Sequence, residues 1–373
     1  MEMKMRQYTE GWCPASDGTN IFFSVAGPGH TTHEPDIVLC DGVGCDGFVW
    51  KYLAPTFATK HRVIRSHYRG HGRSAAPSDL TRLGMNDLVD DLSAVMTHVG
   101  VNRPAVLIGH SMGVQVILEM HRRMPDRVAA LIPTCGSYGD PLATFHDGDY
   151  LKRTFPYLYR LLTGFPEAAM RLWRALLPSP VAYWTALLAG EVNRSLIRLE
   201  DLQPYFEHLS RMDAEVFVRM LHLVSDHSAR DHLTDVDVPT LIIGAENDTF
   251  TPSWLSHEMA DLIPNADLLM VPKGSHAAPI EQPDLLALRV EKFLAERIGC
   301  YSSPESRPRN TAEAGMPRGK SGPSPVKSAS KTKRPPKEGR TGAAKQAGSR
   351  KTKRGAGEAK KKRGAVKKAG PRG

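Results

Sequence analysis

Along the chain, short and almost wholly apolar runs alternate with stretches whose apolar residues recur every three or four positions. Asp36-Ile37-Val38-Leu39-Cys40 is the first strongly buried strand of this pattern, and further strands are predicted at 61–67, 104–108, 128–133, 238–243 and 267–271. Helical spacing predicts helices at about 47–58, 85–99, 112–124, 253–263 and 282–297. Ahead of them, residues 6–26 read as a β-hairpin turning at Ser16-Asp17-Gly18-Thr19. Such alternation builds a mostly parallel sheet with helices on both faces, so the fold class is α/β. Between roughly 140 and 230 the alternation stops. Tyr150, Phe155, Tyr157, Leu158, Tyr159, Leu161, Leu162, Phe165, Trp173, Tyr183, Trp184 and Phe206 spread through helix-like segments there, which reads as an insertion.

One strand-to-helix junction carries chemistry. Gly109-His110-Ser111-Met112-Gly113 follows the apolar run 105–108 and precedes the helical run 114–120. A serine attacks carbonyls only when a sharp turn lifts its hydroxyl into the open and a base takes its proton; glycines two residues either side permit that turn. G-x-S-x-G alone is a weak pattern, so the rest of the chain must decide. The strand at 238–243 leads into Gly244-Ala245-Glu246-Asn247-Asp248, and the strand at 267–271 into Pro272-Lys273-Gly274-Ser275-His276. An acid and a histidine on loops at the carboxyl edge of a parallel sheet complete the machinery, in the order Ser111, Asp248, His276. Asp140, after the preceding strand, and Glu246 are alternative acids.

With these matches, and with Tyr68-Arg69-Gly70-His71-Gly72-Arg73-Ser74, Asp248-Thr249-Phe250-Thr251-Pro252 and Gly274-Ser275-His276-Ala277 through Glu281-Gln282-Pro283, the chain resembles the α/β-hydrolase superfamily over about residues 6–298. The resemblance implies an α/β-hydrolase fold with a core at 6–139 and 231–298, a helical cap at 140–230, and a serine-hydrolase mechanism. A cap over the carboxyl edge must line the site on its inner face, which points to a hydrophobic acyl or ring-bearing substrate. Ester or thioester hydrolysis through an acyl-enzyme is the reaction expected. Carbon–carbon hydrolysis and acyl transfer use the same three groups and stay open.

The loop after the strand ending at Cys40 has two readings. Gly42, Gly44 and Gly47 match the G-x-G-x-x-G dinucleotide fingerprint, but the next strand ends in Arg65-Ser66-His67, without the acidic residue that binds the ribose hydroxyls; an arginine there suits a 2′-phosphate instead. In a hydrolase the same glycines let the backbone N–H of Val43 turn towards the substrate, where with that of Met112 it forms an oxyanion hole, and no cofactor is called for. The chain departs from its family here, which usually carries His-Gly at 41–42 and Asp-x-Arg-Gly at 67–70. This chain has Asp41-Gly42 and His67-Tyr68-Arg69-Gly70. Either Asp41 and His67 pair across the sheet edge in reversed roles, or two loops have drifted independently.

Charge is distributed unevenly. Of 49 Lys+Arg and 40 Asp+Glu in 373 residues, 22 basic and 4 acidic residues fall in 301–373, net +18, which leaves 1–300 at net −9. That tail of Lys, Arg, Ala, Gly, Pro and Ser has only Tyr301, Met316, Val326 and Val366 as strongly apolar residues, so it cannot bury a core and is expected to be disordered. It resembles the arms of histone H1-like proteins, with Ser324-Pro325-Val326-Lys327 like their S-P-x-K element, and implies DNA, RNA or another polyanion as partner; a nucleoid or polyanion-binding protein with a secondary or inactive hydrolase domain is then the rival to an enzyme, and a solubilising tail the alternative to both. Cys13, Cys40, Cys45, Cys135 and Cys300 show no paired spacing and point to a reducing cytoplasm. The N-terminus lacks an apolar secretory core, and no run of eighteen apolar residues exists, so a soluble protein is expected. His257-Glu258-Met259-Ala260-Asp261 lacks the second histidine of a zinc-protease helix, Ser328-Ala329-Ser330-Lys331 matches S-x-x-K only through low complexity, and no metal is implied.

Overall fold

The computed structural model of the chain describes residues 8–29, 34–177, 179, 192–193 and 195–298. The expectations for 301–373, and for Tyr183 and Trp184, lie outside the described residues. Among the described residues eight strands form one sheet, in the order β1 (Thr9–Pro14), β2 (Asn20–Ala26), β4 (Val63–Ser66), β3 (Ile37–Cys40), β5 (Ala105–Ser111), β6 (Val128–Gly136), β7 (Thr240–Ala245) and β8 (Ala266–Val271). Strands β1 and β2 are the predicted antiparallel hairpin, and β2 also runs antiparallel to β4. From β4 onward the sheet is parallel.

The near-continuous apolar runs have a physical reason. A parallel sheet is covered on both faces, so neither side of its central strands can be polar. Successive residues accordingly enter opposite cores. Val38, Cys40, Leu107 and Ile242 pack on one face with helices α2 (Met85–His98) and α3 (Met112–Arg123). Leu39, Val106, Ile108, Leu241 and Ile243 pack on the other with α1 (Leu53–Phe57) and, towards the C-terminus, the helix Pro283–Phe293. Along α2 the buried residues Met85, Leu88, Val89, Leu92, Val95 and Met96 follow the i, i+3, i+4 spacing of one helical face.

Between β6 and β7 lie α4 (Tyr150–Gly164), α5 (Pro166–Leu176), α6 (Leu199–Arg211) and α7 (Ala214–Ser225), where the alternation was predicted to stop. Then come α8 (Ser253–Leu262) after β7, and α9 (Ala278–Glu281) and α10 (Pro283–Phe293) after β8. Two predicted helices are divided. The stretch 47–58 becomes a single tight turn at Phe48–Trp50 followed by α1, and 282–297 starts at Pro283, whose ring suits a first helical turn, and passes after Phe293 into a wider π-type turn at Leu294–Ile298. No helix among the described residues is long and apolar enough to cross a membrane.

Candidate active site

Because β3 to β8 are parallel, the loops that follow them gather at one edge of the sheet, and all five predicted site residues lie there. Ser111 is the last residue of β5, and α3 starts at Met112. Its backbone has φ 55° and ψ −120°, outside the usual regions for a residue with a side chain, a strain of order 1–3 kcal/mol that surrounding packing must hold. The flanking glycines are demanded by contact. A Cβ on Gly109 would sit 2.3 Å from the Gly113 carbonyl oxygen, and one on Gly113 would sit 2.4 Å from that of Cys40.

Ser111 Oγ lies 3.0 Å from His276 Nε2, and His276 Nδ1 lies 3.0 and 3.1 Å from the two oxygens of Asp248. A carboxylate only accepts, so Nδ1 carries the proton and Nε2 presents its lone pair to the serine hydroxyl. Asp248 is held in place: Oδ1 also accepts the Phe250 and Thr251 amides, each at 2.9 Å, and Oδ2 accepts the Thr251 hydroxyl at 2.8 Å. Burial by itself pushes this carboxyl up, but the His276 interaction and the Thr251 hydrogen bonds outweigh it and hold the group below its ordinary value. The alternative acids are engaged elsewhere. Asp140 accepts the Leu142 amide and pairs with Lys152 at 2.9 Å, and Glu246 accepts the Lys273 amide.

Three residues without an assigned role in the sequence reading support the site, two of them the histidine loop and one the acid. Glu281 accepts both the amide and the hydroxyl of Ser275, at 2.7 and 2.5 Å, and also the Asn193 amide at 2.7 Å. His110 Nε2 donates to the His276 carbonyl at 2.9 Å, and burial pushes this imidazole down to about 3, keeping it neutral. Thr251 anchors the acid as described. Glu281 and Thr251 stood in the quoted motifs, but nothing in their spacing says what they bond.

The pairing of Asp41 with His67 is not made. The His67 ring accepts the Arg73 amide at 2.9 Å and packs on Phe22, with ring centres 4.6 Å apart. Burial pushes it down to about 3, with Arg65 the largest charge effect. Asp41 is fully enclosed; burial pushes its carboxyl up to about 7, and Arg65 is the first group opposing that rise. Both side chains therefore answer to Arg65. The two loops do touch, through other groups: the Tyr68 hydroxyl donates to the Asp41 carbonyl at 3.0 Å, and the Gly44 amide donates to His71 Nε2 at 3.0 Å.

Of the three glycines of the 41–47 loop, Gly42 serves the elbow, while Gly44 lies against Leu209 and Phe217 and Gly47 against Arg65. A Cβ on Gly42 would meet Ser111 Cβ at 3.0 Å and His110 Nδ1 at 3.3 Å, and the element after Gly47 is a three-residue turn whose length offers no helix for a pyrophosphate. Val43 and Met112 both border the cavity above Ser111. The Val43 amide makes no hydrogen bond among the described residues, and Met112, first in its helix, has no carbonyl of that helix to bond.

That cavity has a volume of about 330 Å³ and apolar walls, including Leu142 and Phe145 after β6, Leu209 of α6, Phe217 of α7 and Phe250 beside the acid. No Asp, Glu, Lys or Arg side chain lines it among the described residues. Of the aromatic residues singled out in the insertion, Phe206 lines it; Phe155 is core, and Tyr150, Tyr157 and Phe165 are exposed. No cluster of three His, Cys, Asp or Glu side chains able to hold a metal occurs among the described residues.

Residues 35–283 match the family described as the alpha/beta hydrolase fold. The putative carbamate hydrolase RutD of Azorhizobium caulinodans is 28% identical over 280 residues, covering 74% of this chain and 96% of the relative. Among solved structures, the enol-lactonase from Burkholderia xenovorans LB400 is similar with a TM-score of 0.61 at 20% identity, covering 77% of this chain and all of that one. A thermophilic esterase from Thermogutta terrifontis gives 0.61 at 21%, covering 77% and 98%. At such identities the structural likeness speaks to the fold.

Proposed function

The chain belongs to the α/β-hydrolase family, and from its site we propose that it is a serine hydrolase cleaving an ester, thioester or similarly activated carbonyl of a hydrophobic small molecule. The observation that carries this is the unbroken hydrogen-bonded path from Ser111 Oγ through His276 to a buried, ionised Asp248, opening on an apolar cavity. Ser111 Oγ attacks the carbonyl carbon as His276 Nε2 takes its proton, and Asp248 stabilises the imidazolium. The Val43 and Met112 amides stabilise the oxyanion of the tetrahedral intermediate. On collapse His276 returns the proton to the leaving group; water, activated by the same imidazole, then releases the acid.

Walls free of charged side chains favour a neutral, apolar acyl or leaving group, and residues 140–230 act as the cap that supplies one side of them. Carbamate, enol-lactone and ester, the groups after which these relatives are named, share an acyl carbon bearing a heteroatom leaving group.

The test is covalent. A fluorophosphonate label should modify Ser111 in the wild type and leave Ser111→Ala untouched, and the same variant should lose on the order of 10⁴–10⁶ in kcat against p-nitrophenyl esters of graded chain length. Retention of a tenth of the activity would end the serine mechanism. Release of the acyl group to an added alcohol in preference to water would turn the assignment to acyl transfer.

A second role rests on one sequence observation, the net +18 of residues 301–373. The tail binds DNA, RNA or another polyanion in the manner of histone H1-like arms and tethers the hydrolase to the nucleoid.

A further inference from the structure

The loop Asp41–Gly47 bears the amide assigned to the oxyanion, yet within 41–44 it has few bonds of its own: the Cys45 amide reaches the Gly42 carbonyl only at 3.3 Å. What fixes it comes from the next strand. After β4 the chain turns through Tyr68-Arg69-Gly70-His71, the segment that the proposed reaction leaves without a task. Arg69 anchors that segment. Its guanidinium is 1% exposed, forks onto both oxygens of Asp91 on α2 at 2.7 Å each, and donates to the Arg82 carbonyl at 2.7 Å. From this fixed point Tyr68 and His71 reach the oxyanion loop at two places, the Asp41 carbonyl and the Gly44 amide.

The chemistry at His71 is specific. Its Nδ1 faces the Arg69 carbonyl at 3.1 Å, and a carbonyl only accepts, so Nδ1 carries the hydrogen. Nε2 then holds a lone pair, and it is that lone pair which the Gly44 N–H meets at 3.0 Å. A protonated imidazole would set two donors against each other. The site prevents it: His71 is wholly buried, which pushes it down to about 4. Gly44 itself has φ +73°, a left-handed conformation that costs glycine little, and its amide points to His71. The preceding amide, that of Val43, keeps no protein partner among the described residues, and Val43 borders the cavity beside Ser111.

We propose that His71 is the positioning residue of the oxyanion loop: its neutral imidazole captures the Gly44 amide and thereby leaves the Val43 N–H directed at the substrate carbonyl oxygen. The inference rests on the serine-hydrolase reading. It gives a function to the R-G-H-G stretch, since Arg69 fixes the segment and His71 transmits that fixity to the site. It also accounts for the loop-to-loop contact surviving although Asp41 and His67 do not pair.

The experiment compares His71→Gln, whose side-chain carbonyl can accept the Gly44 amide, with His71→Asn, which keeps a donor for the Arg69 carbonyl but is too short to reach Gly44, and with His71→Phe. Each is assayed as the full chain on a soluble p-nitrophenyl ester, with melting temperature recorded. Losing one properly placed oxyanion donor costs about 10²–10³ in kcat, so the misdirected donor of the Asn and Phe variants should cost about 10–100-fold, with KM within about 3-fold. The Gln variant should stay within about 5-fold of wild type. A trifluoromethyl ketone, which forms an oxyanion on the serine, should lose affinity in Asn and Phe by the same factor as kcat/KM, a correlation that general loosening of the fold does not produce.

Full activity in His71→Asn and His71→Phe, or a kcat loss with unchanged ketone affinity, overturns the proposal. If His71→Phe fails to fold, the Gln and Asn pair decides it. If the wild type is inert to fluorophosphonate and to every ester, the serine-hydrolase reading has failed instead. Amide hydrogen exchange over residues 41–48 then still reports on the clamp: it should quicken in Asn and Phe and stay slow in Gln, and equal rates in all of them would dismiss it.

Discussion

Replacing Asp248 by Asn should disable the enzyme while barely changing its shape. The carboxylate accepts five hydrogen bonds in all: from His276 Nδ1 to each oxygen, from the Phe250 and Thr251 amides on Oδ1, and from the Thr251 hydroxyl on Oδ2. An asparagine satisfies the two backbone amides with its single oxygen, which puts its NH₂ where Oδ2 was. The Thr251 hydroxyl can rotate to accept from it; the His276 ring cannot accept while Nδ1 bears the proton. The imidazole resolves the clash by moving that proton to Nε2, 3.0 Å from Ser111 Oγ, and the lone pair that should take the serine proton is gone. Loss of the tautomer costs about 10⁴ in kcat, or roughly 5.5 kcal/mol of transition-state stabilisation. Burst kinetics on a p-nitrophenyl ester measure it. Asp140→Asn and Glu246→Gln should stay within about 3-fold, because those side chains bond Leu142, Lys152 and Lys273 rather than His276. A drop of less than about 10-fold in Asp248→Asn, or a larger one in either control, would refute the argument. Stability gives an independent check. The folded state keeps Asp248 ionised to lower pH than the unfolded chain does, so its contribution is full above the ordinary carboxylate value and drains as pH falls through the folded one. The melting temperature of the wild type should therefore fall more steeply on acidification below about pH 4 than that of the variant.

Asp41 should show the opposite sign: with its folded value raised to about 7 by burial, the native state holds a proton that the unfolded chain has lost, and stability declines as pH rises from 4 through 7. Calorimetry should find Asp41→Asn gaining on the wild type steadily from pH 5 to 8, and parallel curves would contradict that. Arg69→Met leaves Asp91 buried and unpaired and should cost about 3–5 kcal/mol, a fall in melting temperature of roughly 6–15 °C, most of it recovered in Arg69→Met/Asp91→Leu. A chain ending at Gly299 should hydrolyse soluble esters at the wild-type rate and fail to shift DNA in a gel, whereas the full chain should bind with little sequence preference and an affinity that falls steeply with salt; equal binding by both would leave the tail without that role.

The parts of this protein legible in its sequence are those where one physical demand acts on neighbouring residues. A buried parallel strand must be apolar on both faces, so β3, β5 and β7 announce themselves as runs. The elbow announces itself because two glycines within five residues are needed to bring backbone against backbone. Boundaries were less legible. β5 extends three residues past its apolar run, through Gly109 and His110 to Ser111, because ladder pairing with β6 continues where hydropathy has stopped. Helix 47–58 was over-read: its apolar spacing persists across Lys51 and Tyr52, where Tyr52 and Lys51 instead bond Asp201 of α6.

The reading of Asp41 and His67 failed for a reason that separates composition from contact. Two residue types exchanged between adjacent strand ends look like a pair turned around, and adjacency of β3 and β4 made contact geometrically available. Yet each side chain must find its own balance of burial and charge: burial raises the Asp41 carboxyl and lowers the His67 imidazole, and Arg65, close to both, partly offsets the cost of a carboxylate at Asp41 and adds to burial in disfavouring a charged His67. The contact between the loops then passes to groups that residue type does not advertise, a backbone carbonyl and a backbone amide, met by Tyr68 and His71. Main-chain partners have no letter in the sequence. For that reason Ser111, Asp248 and His276 stand out in the sequence as candidates by side-chain type, while the bonds that Glu281, Thr251 and His110 make around them, and the one His71 makes to the Gly44 amide, emerged only from the fold.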